Sequence, residues 1–168
     1  MERADSYRFL GLQVTSDLNW TLNTAATVKK AQQRLYFIRL LRKAGLHCRP
    51  LTQVYKGLIE SILTTGITVW YGNTTQTERK ALQRVIKTAE RIIRTELPSM
   101  DTIYTQRCQK RAERIIRDTL HPAHSLLTQK TVHTISGTDE RTCSIVTNRT
   151  RFYKSFFQAT VRLLAKTK

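Results

Sequence analysis

The sequence predicts a mainly α-helical fold, a bundle of about four principal helices with one N-terminal β-strand and a short C-terminal helix. Two observations support this prediction. Apolar residues recur at three- and four-residue steps in four successive segments, each between helix start and stop signals. The connections between the segments are short, which is typical of a bundle. The 168 residues suffice for one hydrophobic core, and 6 glycines with 3 prolines are too few for a disordered or fibrous chain.

The N-terminal segment, residues 7–15, alternates between two sets of side chains and so predicts a β-strand. Gly11 within it marks a bulge or a close approach of another backbone. No other segment of the sequence offers a partner strand. We therefore expect this strand to be frayed or poorly paired.

The first two helices are expected over residues 22–44 and from Pro50 onward. Gly45 is the C-cap signal of the first helix. The second half of this helix, residues 35–41, is apolar nearly all round, which predicts that it packs on two sides. The run at residues 67–72 ends the second helix as a last helical turn or a short extended piece.

The third helix is expected over residues 75–94, because Thr75 and Glu78 have the spacing of a capping box. Either Ser99 or Asp101 caps the fourth helix, which runs to about Leu120 before a His-Pro pair stops it.

The character of the chain changes after these helices. Residues 128–150 are rich in Thr and Ser and lack a helical period, which predicts a loop or a disordered insert. Residues 151–168 then predict a terminal amphipathic helix. The chain is accordingly divided into residues 1–20, the helical bundle at 21–127, the loop and the terminal helix.

Charge is the unusual feature of the composition. Lys and Arg number 29 against 12 Asp and Glu, and the formal net charge is +17. The excess is spread over both halves of the chain rather than confined to a tail. This balance indicates a polyanionic partner, with nucleic acid as the first choice and an anionic membrane surface as the second. We expect no membrane partner, because the apolar sides of the basic helices are needed for the core.

Membrane-spanning and secreted proteins are not favoured. No apolar run approaches the roughly 18 residues that a transmembrane helix needs, and the N-terminus lacks the apolar core of a signal peptide. The 3 cysteines are odd in number and widely separated, which suits a reducing compartment. We expect an intracellular protein, nuclear or cytoplasmic, that is not secreted.

No catalytic, metal or cofactor site is predicted. The sequence lacks the glycine loops that hold nucleotides, the His-x-Asp pair of iron(II) dioxygenases and paired carboxylates for two metal ions. The possible zinc ligands have no zinc-site spacing, and we interpret them as helix-end and buried residues. They are His47, Cys48, Cys108, His121, His124 and Cys143.

Two helices carry one-sided rows of cations opposite an apolar face. Solvated helix faces usually mix charges of both signs, whereas these rows are nearly all positive. We expect them to contact the phosphate backbone of RNA or DNA, with a solvated surface as the alternative. The first basic stripe comprises Lys80, Arg84, Lys87, Arg91 and Arg94, and the second basic stripe comprises Arg107, Lys110, Arg111, Arg114 and Arg117.

Several segments resemble the C-terminal end of the reverse transcriptase of vertebrate, especially fish-type, LINE non-LTR retrotransposons. The resemblance implies a palm-exit strand at residues 9–11, a remnant of the polymerase palm in residues 1–20, and a thumb-like helical bundle. The catalytic Tyr/Phe-x-Asp-Asp motif of that family is absent from this sequence. The segments are YRFLGLQVTSDLNW, VKKAQQRLYFIRLLRKAGL, ESILTTGITVWYGN, RKALQRVIKTAERII, IYTQRCQKRAERIIRDTLHPAHSLL and FYKSFFQATVRLLAK.

The sequence is also similar to the N-terminal domain of AlkB-homologue tRNA-modifying enzymes. This resemblance implies an association with 2-oxoglutarate dioxygenase and methyltransferase activities. The chain itself has neither the iron triad nor a glycine loop for S-adenosylmethionine, so that chemistry would belong to another chain or domain.

The leading hypothesis is a non-catalytic nucleic-acid-binding fragment derived from a retrotransposon reverse transcriptase. The alternatives are an AlkB-homologue N-terminal-type accessory domain and a helical protein-interaction module. Protein partners are not indicated by the sequence.

Overall fold

The computed structural model describes residues 5–125, 127 and 155–166. The predicted loop at residues 128–150 lies outside the described residues, and the terminal helix is described from residue 155. The helices are α1 (Thr21–Lys43), α2 (Cys48–Tyr55), α3 (Ser61–Thr64), α4 (Ile67–Trp70), α5 (Gln76–Ile93), α6 (Met100–Arg117) and α7 (Phe156–Lys166). A π-helical turn (Lys56–Glu60) joins α2 to α3, and a 3-10 turn (Tyr71–Asn73) follows α4. The mainly α-helical fold is confirmed.

The predicted N-terminal strand is a hairpin of two strands, β1 (Ser6–Phe9) and β2 (Leu12–Thr15). They pair antiparallel, with Phe9 opposite Leu12. Leu10 (φ 47°) and Gly11 (φ 83°) form the turn, and two successive positive φ values are the geometry of a tight hairpin turn. The expectation of one strand without a partner in the chain was wrong, because the segment forms two strands that pair with each other. Gly11 marks a chain reversal rather than a bulge.

The hairpin rests on the helices through its second strand. β1 is exposed, whereas β2 is half-buried and Leu12 packs against the main core. The Gln13 N–H donates a hydrogen bond to Asn23 Oδ1 in α1 at 3.2 Å. Among the residues that the structure describes, no third strand pairs with the outer edge of β1.

α1 ends as the sequence predicts, since Gly45 follows it with φ +87°. One side of α1 is buried through Ala31, Leu35 and Ile38 and packs against α5. The expected packing on two sides is wrong, because Tyr36 and Phe37 are 57% and 48% exposed. The outer face of α1 therefore exposes these two aromatic rings among polar and charged side chains.

A sharp corner separates α3 from α4. Gly66 adopts the left-handed conformation there, and α4 starts in the next residue. The predicted ambiguity at residues 67–72 resolves as helix, namely α4 and the start of the 3-10 turn. Trp70 is buried and its indole N–H donates to the Thr65 carbonyl at 2.8 Å, which holds the corner closed.

The caps of α5 and α6 follow the predicted chemistry. The Thr75 hydroxyl accepts from the Glu78 N–H while the Glu78 carboxylate accepts from the Thr75 N–H, so the capping box is complete. Of the two candidate caps of α6, Ser99 is the one used, because its hydroxyl accepts from the Thr102 N–H at 3.1 Å. α6 ends at Arg117, three residues before the predicted stop.

A polar cluster joins the starts of α5 and α6. Arg79 lies 3.3 Å from Asp101 in an ion pair, donates to the Tyr71 carbonyl and stacks over the Tyr71 ring. The Tyr71 hydroxyl donates to Asp101 at 3.0 Å. Burial and then the charge of Asp101 raise the pKa of the Tyr71 hydroxyl, which stays protonated. The contacts of Arg79 thus stabilise the fold.

The apolar side chains form two cores. The main core includes side chains from α1 through to the first turns of α6, with Trp70, Tyr55 and Tyr71 among its largest members. The smaller core joins Ala112 and Ile115 of α6 to α7 and to residues 123 and 127. α6 therefore belongs to both cores. In the described part of the chain, no helix is long and apolar enough to cross a membrane.

Gly66 tests the contact between the hairpin and the α3–α4 corner. A Cβ at this position would lie 2.8 Å from Leu12 Cδ1, and φ is +59°. We expect Gly66→Ala to lower the free energy of unfolding by about 1–2 kcal/mol through left-handed backbone strain. A further loss should come from displacing Leu12. Urea unfolding of the variant and the parent measures the sum of these two losses.

Gly45→Ala is the matched control for Gly66→Ala. Gly45 is also left-handed, but no described heavy atom lies within 4 Å of the Cβ position. In Gly45→Ala the free energy of unfolding should fall only by the contribution of left-handed backbone strain. In a Leu12→Ala background the two losses should become equal, whereas equal losses with Leu12 present would show that the hairpin does not rest on Gly66.

Candidate nucleic-acid interface

Four residues of the first basic stripe lie on the outer face of α5, and the fifth, Arg94, follows the helix as its left-handed C-cap residue with φ 61°. All five of its side chains are exposed, and Leu82, Ile86 and Ala89 on the other side of the helix are fully buried. Within the described residues, none of the five cations forms an ion pair or a side-chain hydrogen bond. These charges are therefore available to an external anion.

The second basic stripe lies on α6, and its five side chains are also exposed. Two of them are held by other elements. The Arg107 guanidinium donates to the Thr64 hydroxyl at 3.3 Å, and that of Arg111 donates to the Thr68 hydroxyl at 2.9 Å. The Arg111 guanidinium also lies 4.8 Å from the centre of the Phe156 ring in α7. The position of the Arg111 guanidinium is thus fixed by its own helix α6, by α4 and by α7.

Four residues of the second basic stripe, all but Arg117, form one wall of an open groove, which we call the basic groove. The α3–α4 corner forms the other wall. The groove has a volume of about 720 Å³, and no acidic residue is among its described lining residues. The lining residues are Thr64, Gly66, Ile67, Thr68, Arg107, Lys110, Arg111 and Arg114.

The two threonine–arginine pairs share one register. Thr64 with Arg107 and Thr68 with Arg111 are each 43 residues apart. Residues 64–68 therefore follow α6 in the same direction, with one pair at each of two successive turns of α6. This parallel course keeps two guanidinium groups at the same edge of the groove.

The electrostatic character of the groove is uniformly positive. Arginine stays protonated at any physiological pH, so the charge is permanent. Like charges in close proximity repel one another, and an anion bound between them relieves that repulsion. The arrangement is suited to binding a polyanion.

The described residues offer little for bond-making chemistry. Cys108 is buried, and burial raises the pKa of its thiol, which keeps the reactive thiolate scarce at neutral pH. His121 Nδ1 accepts the Ala123 N–H at 3.0 Å, which stabilises the turn after α6. No group of three His, Cys, Asp or Glu able to hold a metal ion occurs among the described residues.

Sequence reasoning missed the contacts of Thr64, Thr68 and Phe156 with the arginines of the candidate interface. Threonines in a helical region carry no local signal of a distant arginine. Their role depends on the Gly66 corner, which places them beside a helix 43 residues further along the chain. The charged members were predictable because helical periodicity alone puts them on one face.

The comparison with protein families found a match in the N-terminal half of the chain rather than at the basic groove. The family described as "Alkylated DNA repair protein alkB homolog 8, N-terminal" matches residues 20–61. These residues include α1, α2 and the π-helical turn. The chain is similar to that family over this segment, in agreement with the AlkB-homologue part of the resemblance.

The match ends before Thr64, so both basic stripes lie outside it. The resemblance to a retrotransposon reverse transcriptase finds no support in these comparisons. Neither a curated protein nor a solved structure matches the chain.

Proposed function

We propose that this chain is a non-catalytic nucleic-acid-binding domain that contacts the phosphate backbone of RNA or DNA. The observation that carries the proposal is the basic groove, whose described lining combines four cations with no acidic residue. Phosphate contacts are made chiefly by Arg and Lys side chains and carry no sequence information. We expect affinity without marked sequence preference.

A solvated surface is the competing explanation for the two stripes. It explains exposed cations, but it gives no reason for two threonine hydroxyls to hold arginines at the edge of a groove. A helical protein-interaction module would instead use the exposed aromatic side chains of α1, Tyr36 and Phe37. Binding measurements with nucleic acid distinguish these possibilities.

The second candidate function is an accessory domain of an AlkB-homologue-type enzyme. The observation favouring it is the family match over residues 20–61. The matched family is named for the repair of alkylated DNA, and a basic domain beside such an enzyme would help it to hold a nucleic acid substrate. The two candidates are compatible, since the dioxygenase or methyltransferase chemistry would lie in another domain.

Derivation from a retrotransposon reverse transcriptase remains a proposal that rests on the resemblance alone. It would make residues 1–20 a palm remnant and residues 21–127 a thumb-like bundle. Genomic sequence upstream of Met1 that encodes an Asp-Asp strand would support it, whereas an upstream region without any such remnant would contradict it.

The first basic stripe yields a salt-dependence prediction. Each phosphate contact contributes a slope of about −0.7 on a single strand, or about −0.9 on duplex DNA, to log affinity against log salt concentration. We expect Lys87→Ala/Arg91→Ala to weaken binding to all sequences alike and to make the slope shallower by about two contacts. Both positions are exposed and alanine is a strong helix former, so the far-UV spectrum should not change.

Lys29→Ala/Lys30→Ala is the matched control, because it removes the same charge from exposed positions of α1. Long-range attraction should fall equally in the two variants, but only the α5 variant should lose direct contacts. Equal affinities and slopes in the two variants would mean that net charge alone drives binding. An α5 variant that binds like the parent would leave the interaction module as the better hypothesis.

The absence of catalytic motifs in the sequence yields a second prediction. The purified chain, supplied with Fe(II) and 2-oxoglutarate, should show no 2-oxoglutarate turnover. Supplied with primer, template and deoxynucleotides, it should show no primer extension. Template-dependent synthesis or turnover above that of a heat-denatured sample would contradict the non-catalytic assignment.

A further inference from the structure

Two arginines of the basic groove are held in place before any ligand arrives. Thr68 accepts a hydrogen bond from Arg111 at 2.9 Å while the Phe156 ring lies on the same guanidinium. Thr64, which is buried, accepts from Arg107 at 3.3 Å. A flexible arginine loses rotamer freedom when it binds an anion, and a side chain that is already fixed loses less.

Each held arginine keeps donors for a ligand. A guanidinium has five N–H groups, and one threonine contact leaves most of them free. Lys110 and Arg114 lie in the same lining, and neither has a side-chain hydrogen bond or ion pair within the described residues. The groove therefore combines two guanidinium groups that threonines hold in place with two cations, Lys110 and Arg114, that no described side chain holds.

The spacing of the fixed arginines fits a repeating anion. Arg107 and Arg111 are four residues apart, which is about 6 Å along a helix axis. Neighbouring phosphates of a nucleic acid strand are separated by a similar distance. An isolated phosphate would engage only one of the two forks.

The composition of the lining indicates which part of a polynucleotide enters. The described lining has no aromatic ring on which a base would stack and no Asn or Gln to read a base edge. It offers cations and hydroxyl groups, which are the partners of the phosphodiester backbone.

We infer that the basic groove seats two neighbouring phosphates of one polynucleotide strand, with Arg107 and Arg111 as the binding forks and Thr64 and Thr68 as their positioning residues. This inference rests on the proposed function and names the site that performs it. The bases stay outside the groove.

The test uses the threonine, since changing it leaves every charge in place. The full chain is titrated into fluorescent 20-nucleotide oligo(U) and oligo(dT), single-stranded and as duplexes, at several salt concentrations. Thr68→Val should weaken binding about three- to tenfold, because the lost hydrogen bond frees the Arg111 guanidinium. The salt slope should match that of the parent, because no cation is removed.

Two further variants separate positioning from structure. Thr68→Ser keeps the hydroxyl and should restore parental affinity. Arg111→Lys keeps the charge but loses the fork, and should weaken binding as Thr68→Val does. Thr68 is half-buried, so the two Thr68 variants should retain the parental thermal unfolding. Arg111→Lys also changes the contact with the Phe156 ring, so its thermal unfolding is measured alongside its binding.

Each result has a distinct meaning. A parent chain that binds none of the oligonucleotides overturns the proposed function and this inference with it. A parent that binds while Thr68→Val binds equally well overturns the inference alone. Displacement of the oligonucleotide by pyrophosphate at an equal concentration of phosphate groups would show that an isolated diphosphate suffices, and would overturn the assignment of a polynucleotide strand.

Discussion

Met100 and Ile103, in the first turns of α6, are buried in the main core, and Asp101 between them is bound by Arg79 and Tyr71. These contacts fix the start of α6. The later turns leave the main core and are held by the smaller core with α7. The position of the second basic stripe beside the α3–α4 corner depends on this anchoring, because a helix fixed at both ends cannot turn its cations elsewhere.

α5 and α6 were predictable because each carries its own start signal, whereas α1 and α2 begin without a side-chain cap and were predictable from their apolar periodicity. Thr75 with Glu78 forms the capping box, and Gly45 ends α1, both as the local sequence indicates. The hairpin was missed because Leu10, an unfavourable residue for positive φ, occupies its turn. The open outer face of α1 was missed because an apolar run does not say whether a second layer exists to cover it.

The candidate interface was predictable only in its charges. Helical periodicity placed ten cations on two faces, and the structure leaves all ten exposed. The groove itself depends on the left-handed corner at Gly66 and on contacts between residues 43 positions apart. Such contacts have no local signature. The family match covers residues 20–61 and therefore includes none of the residues of the candidate interface.

If the basic groove is the binding site, nucleic acid should perturb this groove rather than the whole basic surface. A titration of the isotope-labelled chain with oligo(U), followed through its backbone amide resonances, distinguishes the two. We predict that the largest shifts fall on residues 64–68 and 107–114 and saturate together. Shifts centred on α1 around Tyr36 and Phe37, with the groove unaffected, would show that nucleic acid does not bind in the groove.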